Sequence, residues 1–84
     1  MFKKLLFNIY TNDPTIKRSI LYINKQELTF NNDGIIQVFL RPKNYEFSIC
    51  NQEFQFPFIN PTKRIILYRE DNDCHFNIIV KAEE

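Results

Sequence analysis

One glycine, one alanine and one histidine occur among 84 residues, and each scarcity removes a class of function. A single glycine cannot furnish the Gly-rich loops that cradle phosphates, and a single histidine cannot furnish a multi-histidine metal site. A single alanine argues against a surface built of helices. Cys50 and Cys74 are too few for a disulfide framework, and their spacing fits neither a zinc ribbon nor a Cys-x-x-Cys redox pair. No apolar run approaches the roughly 18 to 20 residues that span a bilayer. Charge of one sign is missing too: 11 basic against 10 acidic residues leave +1, no field to draw nucleic acid or an anionic membrane.

The N-terminus has the charged start of a signal in Met1-Phe2-Lys3-Lys4, but not its apolar core. Leu5-Leu6-Phe7 meets Asn8 at once, whereas a signal needs about 7 to 15 apolar residues and a small-residue cleavage site. The expectation is a cytoplasmic chain with both thiols reduced. Strand parity agrees: Cys74 shares a face with Phe76 and Ile78, while Cys50 falls opposite to Tyr45, Phe47 and Ile49.

What the chain has is bulk. Apolar residues make up 44% and charged residues 25%, the balance of a soluble globular domain, read here as one domain over residues 1–84. Twelve Ile, nine Phe and four Tyr raise the apolar area buried per residue, which so short a chain needs against the entropy of ordering. These residues alternate. Ile36, Val38 and Leu40 interleave with Ile35, Gln37 and Phe39; Tyr45, Phe47 and Ile49 with Glu46 and Ser48; Phe54, Phe56 and Phe58 with Glu53 and Gln55; Cys74, Phe76, Ile78 and Val80 with His75, Asn77 and Ile79. Period two is the mark of strands with one buried face.

Strands are expected near residues 3–11, 18–24, 27–31, 35–41, 44–50, 53–58, 64–69 and 74–81. Turns at Asn31-Asn32-Asp33-Gly34, Pro42-Lys43-Asn44, Asn51-Gln52, Asn60-Pro61 and Glu70-Asp71-Asn72-Asp73 separate them. Pro57 removes a ladder donor and sends its strand to an edge or an end. One segment competes: Asp13-Pro14 reads as a helix start, with Ile16, Ile20 and Ile23 at helical spacing. Against it, Ile20-Leu21-Tyr22-Ile23 is β-branched and aromatic, and Asn24-Lys25 suits a hairpin turn. The fold class is an all-β, antiparallel sandwich of about seven strands, Ig-like or transthyretin-like. The alternative is a small five-stranded barrel with a short helix over residues 14–25.

Three stretches carry a resemblance: Asn12-Asp13-Pro14, then Leu21-Tyr22-Ile23-Asn24-Lys25-Gln26-Glu27-Leu28, then Asn32-Asp33-Gly34 running through Val38-Phe39-Leu40-Arg41-Pro42 to Tyr45-Glu46-Phe47. Over residues 8–50 the chain resembles the small Ig-like sandwiches of the PEGA and carboxypeptidase-regulatory (transthyretin-like) type. Their pattern is DP, then VYIDGK, DG and L-x-PG-x-Y. Hairpins at Asn24-Lys25 and Asp33-Gly34, and a Tyr that plugs the core after a Pro turn, give the pattern its physical sense. The chain departs from it with Thr15-Ile16 in place of Glu-Gly-Ala, Lys25 in place of Gly, and no Gly after Pro42. The resemblance implies a non-catalytic interaction module and brings no catalytic residues.

Few clusters suggest chemistry. Cys74-His75 lies beside Asp71 and Asp73, but adjacent strand residues point to opposite faces, so thiol and imidazole cannot pair. Glu70-Asp71-Asn72-Asp73 offers oxygens without the Gly and ligand number of a calcium loop. The basic residues Lys3, Lys4, Lys17, Arg18, Arg41, Lys43, Lys63, Arg64 and Arg69 are interleaved with acids and suit solubilising strand ends. Phe54, Phe56 and Phe58 read as core. No metal or cofactor is expected, and no enzymatic set of nucleophile, base and acid stands at usable spacing.

The remaining signal is a surplus. Strands 35–41 and 64–69 carry large apolar residues at both parities, and no segment forms a helix long enough to cover the outer set. Phe39, Ile66, Tyr68, Ile35 and Tyr22 are the candidate interaction surface, with Phe39, Ile66 and Tyr68 at its centre. The expected function is a non-enzymatic protein-interaction module, using an apolar sheet face or edge strand to bind a protein partner or a second copy of itself. The alternative is a single-stranded nucleic-acid binder using Tyr and Phe with Lys and Arg.

Overall fold

A computed structural model of the chain describes residues 3–41, 43–56, 64–72 and 75–83. In chain order the elements are β1 (Leu5–Thr11), α1 (Pro14–Lys17), β2 (Ile20–Ile23), β3 (Gln26–Thr29), β4 (Ile35–Leu40), β5 (Tyr45–Ile49), β6 (Gln52–Phe56), β7 (Arg64–Asn72) and β8 (His75–Glu83). They form two four-stranded sheets, ordered β4-β1-β7-β8 and β3-β2-β5-β6. Neighbours are antiparallel except β1 and β7, which run parallel. The fold is an all-β sandwich of eight strands, and among the described residues the sheets do not close into a barrel.

Period-two patterning translates directly into two inner faces. Phe7 and Ile9 of β1, Ile36, Val38 and Leu40 of β4, Ile65 and Leu67 of β7 and Ile78 of β8 meet Leu21, Ile23, Tyr45, Phe47 and Ile49 of the other sheet, and none is more than 7% exposed. Burying each such side chain contributes about 1.5–3 kcal/mol. A slip of one residue would turn a whole strand's apolar set to water, so the pattern also sets the register.

The contested segment divides between helix and strand. Asp13 is the N-cap: its Oδ1 accepts the Thr15 amide at 2.8 Å and the Ile16 amide at 3.1 Å, with Pro14 in the first turn. The helix ends after one turn, where the Ser19 hydroxyl donates to the Thr15 carbonyl at 2.8 Å. It therefore covers residues 14–17 and not 14–25, because Ile20-Leu21-Tyr22-Ile23 enters β2. Ile16 is fully buried, while Ile20 is 40% exposed, so the helical spacing of the isoleucines is coincidental beyond the first.

Two hairpins turn on non-glycine residues with positive φ: Asn24 and Lys25 (50° and 65°) between β2 and β3, and Cys50 and Asn51 (53° and 60°) between β5 and β6. The second turn is thus one residue earlier than Asn51-Gln52. Cys50 leaves the strand, and its sulfur lies 3.0 Å from the Ser19 hydroxyl oxygen. β4 is an edge strand, and so is β6, one of the two placements expected from Pro57. The chain's only glycine stands before β4 at φ 76°, its carbonyl accepting the Thr11 amide at 2.9 Å. A Cβ at Gly34 would run into the Thr11 carbonyl oxygen.

β7 outruns its partner. β1 pairs with it only as far as Leu67, and residues 68–72 continue with β8 alone, up to Asn72 opposite His75. Glu70, Asp71 and Asn72 are strand, therefore, and not part of a loop. Arg69 ties this arm to the helix cap, its Nε 3.1 Å from Asp13 Oδ2. From the other sheet, Gln52 Oε1 accepts the Ile78 amide at 2.9 Å.

These turns make opposite-signed predictions. Gly34→Ala should lower stability by about 2 kcal/mol or more, since it adds both a clash and left-handed strain. Lys25→Gly should raise it by about 0.5–1 kcal/mol by relieving the strain of Lys at positive φ. Urea unfolding of both variants checks the pair, and equal signs would contradict it.

Candidate interaction surface

The outer face of the β4-β1-β7-β8 sheet is built from the residues that alternate with the core. Register places Ile35, Tyr10 and Ile66 side by side on three adjacent strands, with Lys81 completing the row on β8. One step further along, Tyr68 stands opposite Ile79. Arg64 lies at the other flank of the row, its guanidinium 5.6 Å from the Tyr10 ring centre. At the far end Phe39 is paired with Leu6, and Phe39 is 63% exposed, Tyr68 42%.

This arrangement corrects the expected grouping. Between the Phe39–Leu6 pair and the Ile35–Tyr10–Ile66 row sits an amide pair, Gln37 Nε2 donating to Asn8 Oδ1 at 3.1 Å. Counting strand residues at about 3.3 Å each, Phe39 and Tyr68 lie some six steps, or about 20 Å, apart along the sheet. The sheet brings Ile35 and Ile66 together across Tyr10, with Tyr68 adjoining, and sets Phe39 apart at the β4 edge.

Tyr22 lies on the other sheet altogether. There it occupies a row with Glu27, Ser48 and Glu53, beside an open hollow of about 850 Å³ that Lys25, Glu46 and Gln55 also line. Gln55 Nε2 donates to Glu46 Oε1 at 3.2 Å. This face is polar and rich in carboxylates, unlike the apolar row that Tyr22 was expected to join.

Other candidates resolve in part. Phe54 is half buried and stacked on Phe47, ring centres 5.2 Å apart, which is the core reading. Phe58, Lys63, Asp73 and Cys74 lie outside the described residues, and with them the Cys74–His75 pairing. Among the described residues, no three His, Cys, Asp or Glu side chains gather into a metal-holding group. No helix there is long and apolar enough to cross a membrane.

Tyr45 has a role beyond filling the core. Its ring is 5% exposed, and its hydroxyl accepts the Arg41 amide at 3.0 Å while donating to the Arg41 carbonyl at 2.9 Å. A buried tyrosine needs a partner for its hydroxyl, and here one phenol binds both main-chain groups of the residue that follows β4. A tyrosine opening a strand after a proline turn signals the plug but not which peptide its oxygen reaches.

Compared with protein families, with curated proteins and with solved structures, the chain has no match.

Tyr45→Phe keeps the ring and removes both contacts to Arg41. It should cost about 1–2 kcal/mol in urea unfolding, since two hydrogen bonds of ordinary net worth are lost. A change near zero would show that the hydroxyl contributes nothing to holding this corner.

Proposed function

We propose that the protein is a non-enzymatic protein-interaction module that binds through the outer face of its β4-β1-β7-β8 sheet. What carries the reading is the row of Ile35, Tyr10 and Ile66 across three strands, extended by Tyr68 and Ile79. A band of large apolar side chains in one plane, partly exposed and with Tyr68 at the surface, is the kind of feature that marks interaction sites on small proteins. Aromatic residues with an arginine beside them fit the composition of protein interfaces. The resemblance of the turn pattern to PEGA and transthyretin-like sandwiches, with its departures at Lys25 and after Pro42, would imply binding and not catalysis.

A nucleic-acid surface has less in its favour. Arg64 stands over the Tyr10 ring, where a stacking base would have to go, and the Tyr45 ring is buried in the core. Glu27, Glu46 and Glu53 occupy the outer face of the second sheet. Charge-driven binding would weaken steeply with salt, which separates the two readings.

Site-specific photocrosslinking tests the proposal. With p-benzoylphenylalanine in place of Tyr68, Ile66 or Tyr22, irradiation in the native cell should give discrete protein adducts at 68 and 66 and none at 22. Adducts at 22 alone, or at no position, would contradict the assignment.

A further inference from the structure

We propose, resting on the interaction-module reading above, that the free edge of β4 is a self-association site. A second copy of the chain adds its own β4 there, antiparallel about a two-fold axis at Val38, joining two four-stranded sheets into one of eight. Among the described residues the sandwich has four strand edges, and three of those strands carry a charged residue. β3 has only four residues and carries Glu27, β6 carries Glu53, and the Ile78 amide on β8 is already taken by Gln52. β4 differs. Its sequence, Ile-Ile-Gln-Val-Phe-Leu, has six residues of high β propensity with no charge, proline or glycine.

Hydrogen bonds around β4 define how much of that edge is open. Because Gly34 accepts from Thr11 of β1, alternation turns the main-chain groups of Ile36, Val38 and Leu40 toward β1 as well. Those of Ile35, Gln37, Phe39 and Arg41 then point outward. Ile35 is occupied: its amide donates to Asn31 Oδ1 at 3.0 Å, and its carbonyl accepts the Asn31 amide at 3.0 Å. Arg41 is occupied by the Tyr45 hydroxyl on both groups. Among the described residues, two N–H and two C=O groups are left without a partner, on Gln37 and Phe39.

That window selects both direction and register. An antiparallel pair exchanges two hydrogen bonds between residues directly opposite, whereas a parallel copy, open at the same two residues, can pair at most three of the four groups. With the axis at Val38, Gln37 of each copy faces Phe39 of the other, and every open group on both copies is used. Moving the axis to Gln37 sets Phe39 against Ile35, which Asn31 holds. Moving it to Phe39 sets Gln37 against Arg41, which Tyr45 holds. The Val38 register also keeps faces matched, Ile36 opposite Leu40 inside and Gln37 opposite Phe39 outside, so the exposed Phe39 gains a cover. A second copy fits because it brings an edge with the same two-residue window.

Sedimentation equilibrium of wild type, Gln37→Pro and Tyr68→Glu over a range of concentrations tests this. The Gln37 amide points away from β1, so proline there removes no main-chain bond within the fold, only the exposed side-chain bond to Asn8, and circular dichroism checks that the variant folds. If it does not, chemical synthesis with an N-methyl Phe39 removes an edge donor with less constraint on the backbone. The expected result is a monomer–dimer equilibrium in wild type, weakened at least tenfold by either edge change and much less by Tyr68→Glu. An isotope-filtered nuclear Overhauser contact between the Val38 Hα protons of two copies would fix the register. A wild type that stays monomeric at every concentration overturns the inference, as does capture of an unrelated extended peptide without self-association. A dimer lost with Tyr68→Glu but kept with Gln37→Pro also overturns it, and leaves the face-binding reading standing.

Discussion

Main-chain hydrogen bonding at the sheet edges is the constraint on which this structure turns. Any sandwich of two open sheets leaves four strands with unpaired N–H and C=O groups on one side, and each edge must be shortened, charged or covered. Here side chains from a turn and from the first residues of strands do much of the covering. Asn31 binds the start of β4, Tyr45 its end, and Gln52 reaches from one sheet to the β8 edge of the other. These are the contacts that hold the two layers in register at their rims, where the apolar core no longer reaches.

Core and surface compete for the same residues. With one alanine and a chain rich in Ile, Phe and Tyr, nearly every strand has bulky side chains on its inner face, and some have them on the outer face too. The inner set suffices to hold the sandwich together. The outer set is left as the Ile35–Tyr10–Ile66 row and as Phe39 beside the open part of the β4 edge. Stability and association thus draw on one compositional bias, divided by strand parity.

Much of the fold is legible in the sequence because period two is a strong signal wherever one face is buried. The strand alternations at Ile36-Val38-Leu40 and Tyr45-Phe47-Ile49 appear in the structure residue for residue. The helix was legible at its start, since Asp13-Pro14 is a cap and first turn, but not in its length, because isoleucines at helical spacing also suit a following strand. The polar run Glu70-Asp71-Asn72 reads as loop, yet pairing with β8 carries it as strand, tertiary context overriding composition. Of the surface, parity showed which residues face outward. It could not show that β4 is an edge, that Tyr22 belongs to the other sheet, or that an amide pair separates Phe39 from the main row. Those depend on strand order, which local pattern does not encode.

Among the described residues, Gln37 and Phe39 hold the only open main-chain groups along β4. Residue-resolved amide hydrogen exchange on dilute protein tests it most directly. The account predicts slow exchange at Ile36, Val38 and Leu40, intermediate exchange at Ile35 and Arg41, and fast exchange at Gln37 and Phe39. Protection of Gln37 and Phe39 equal to that of Val38 in a dilute monomer would contradict it.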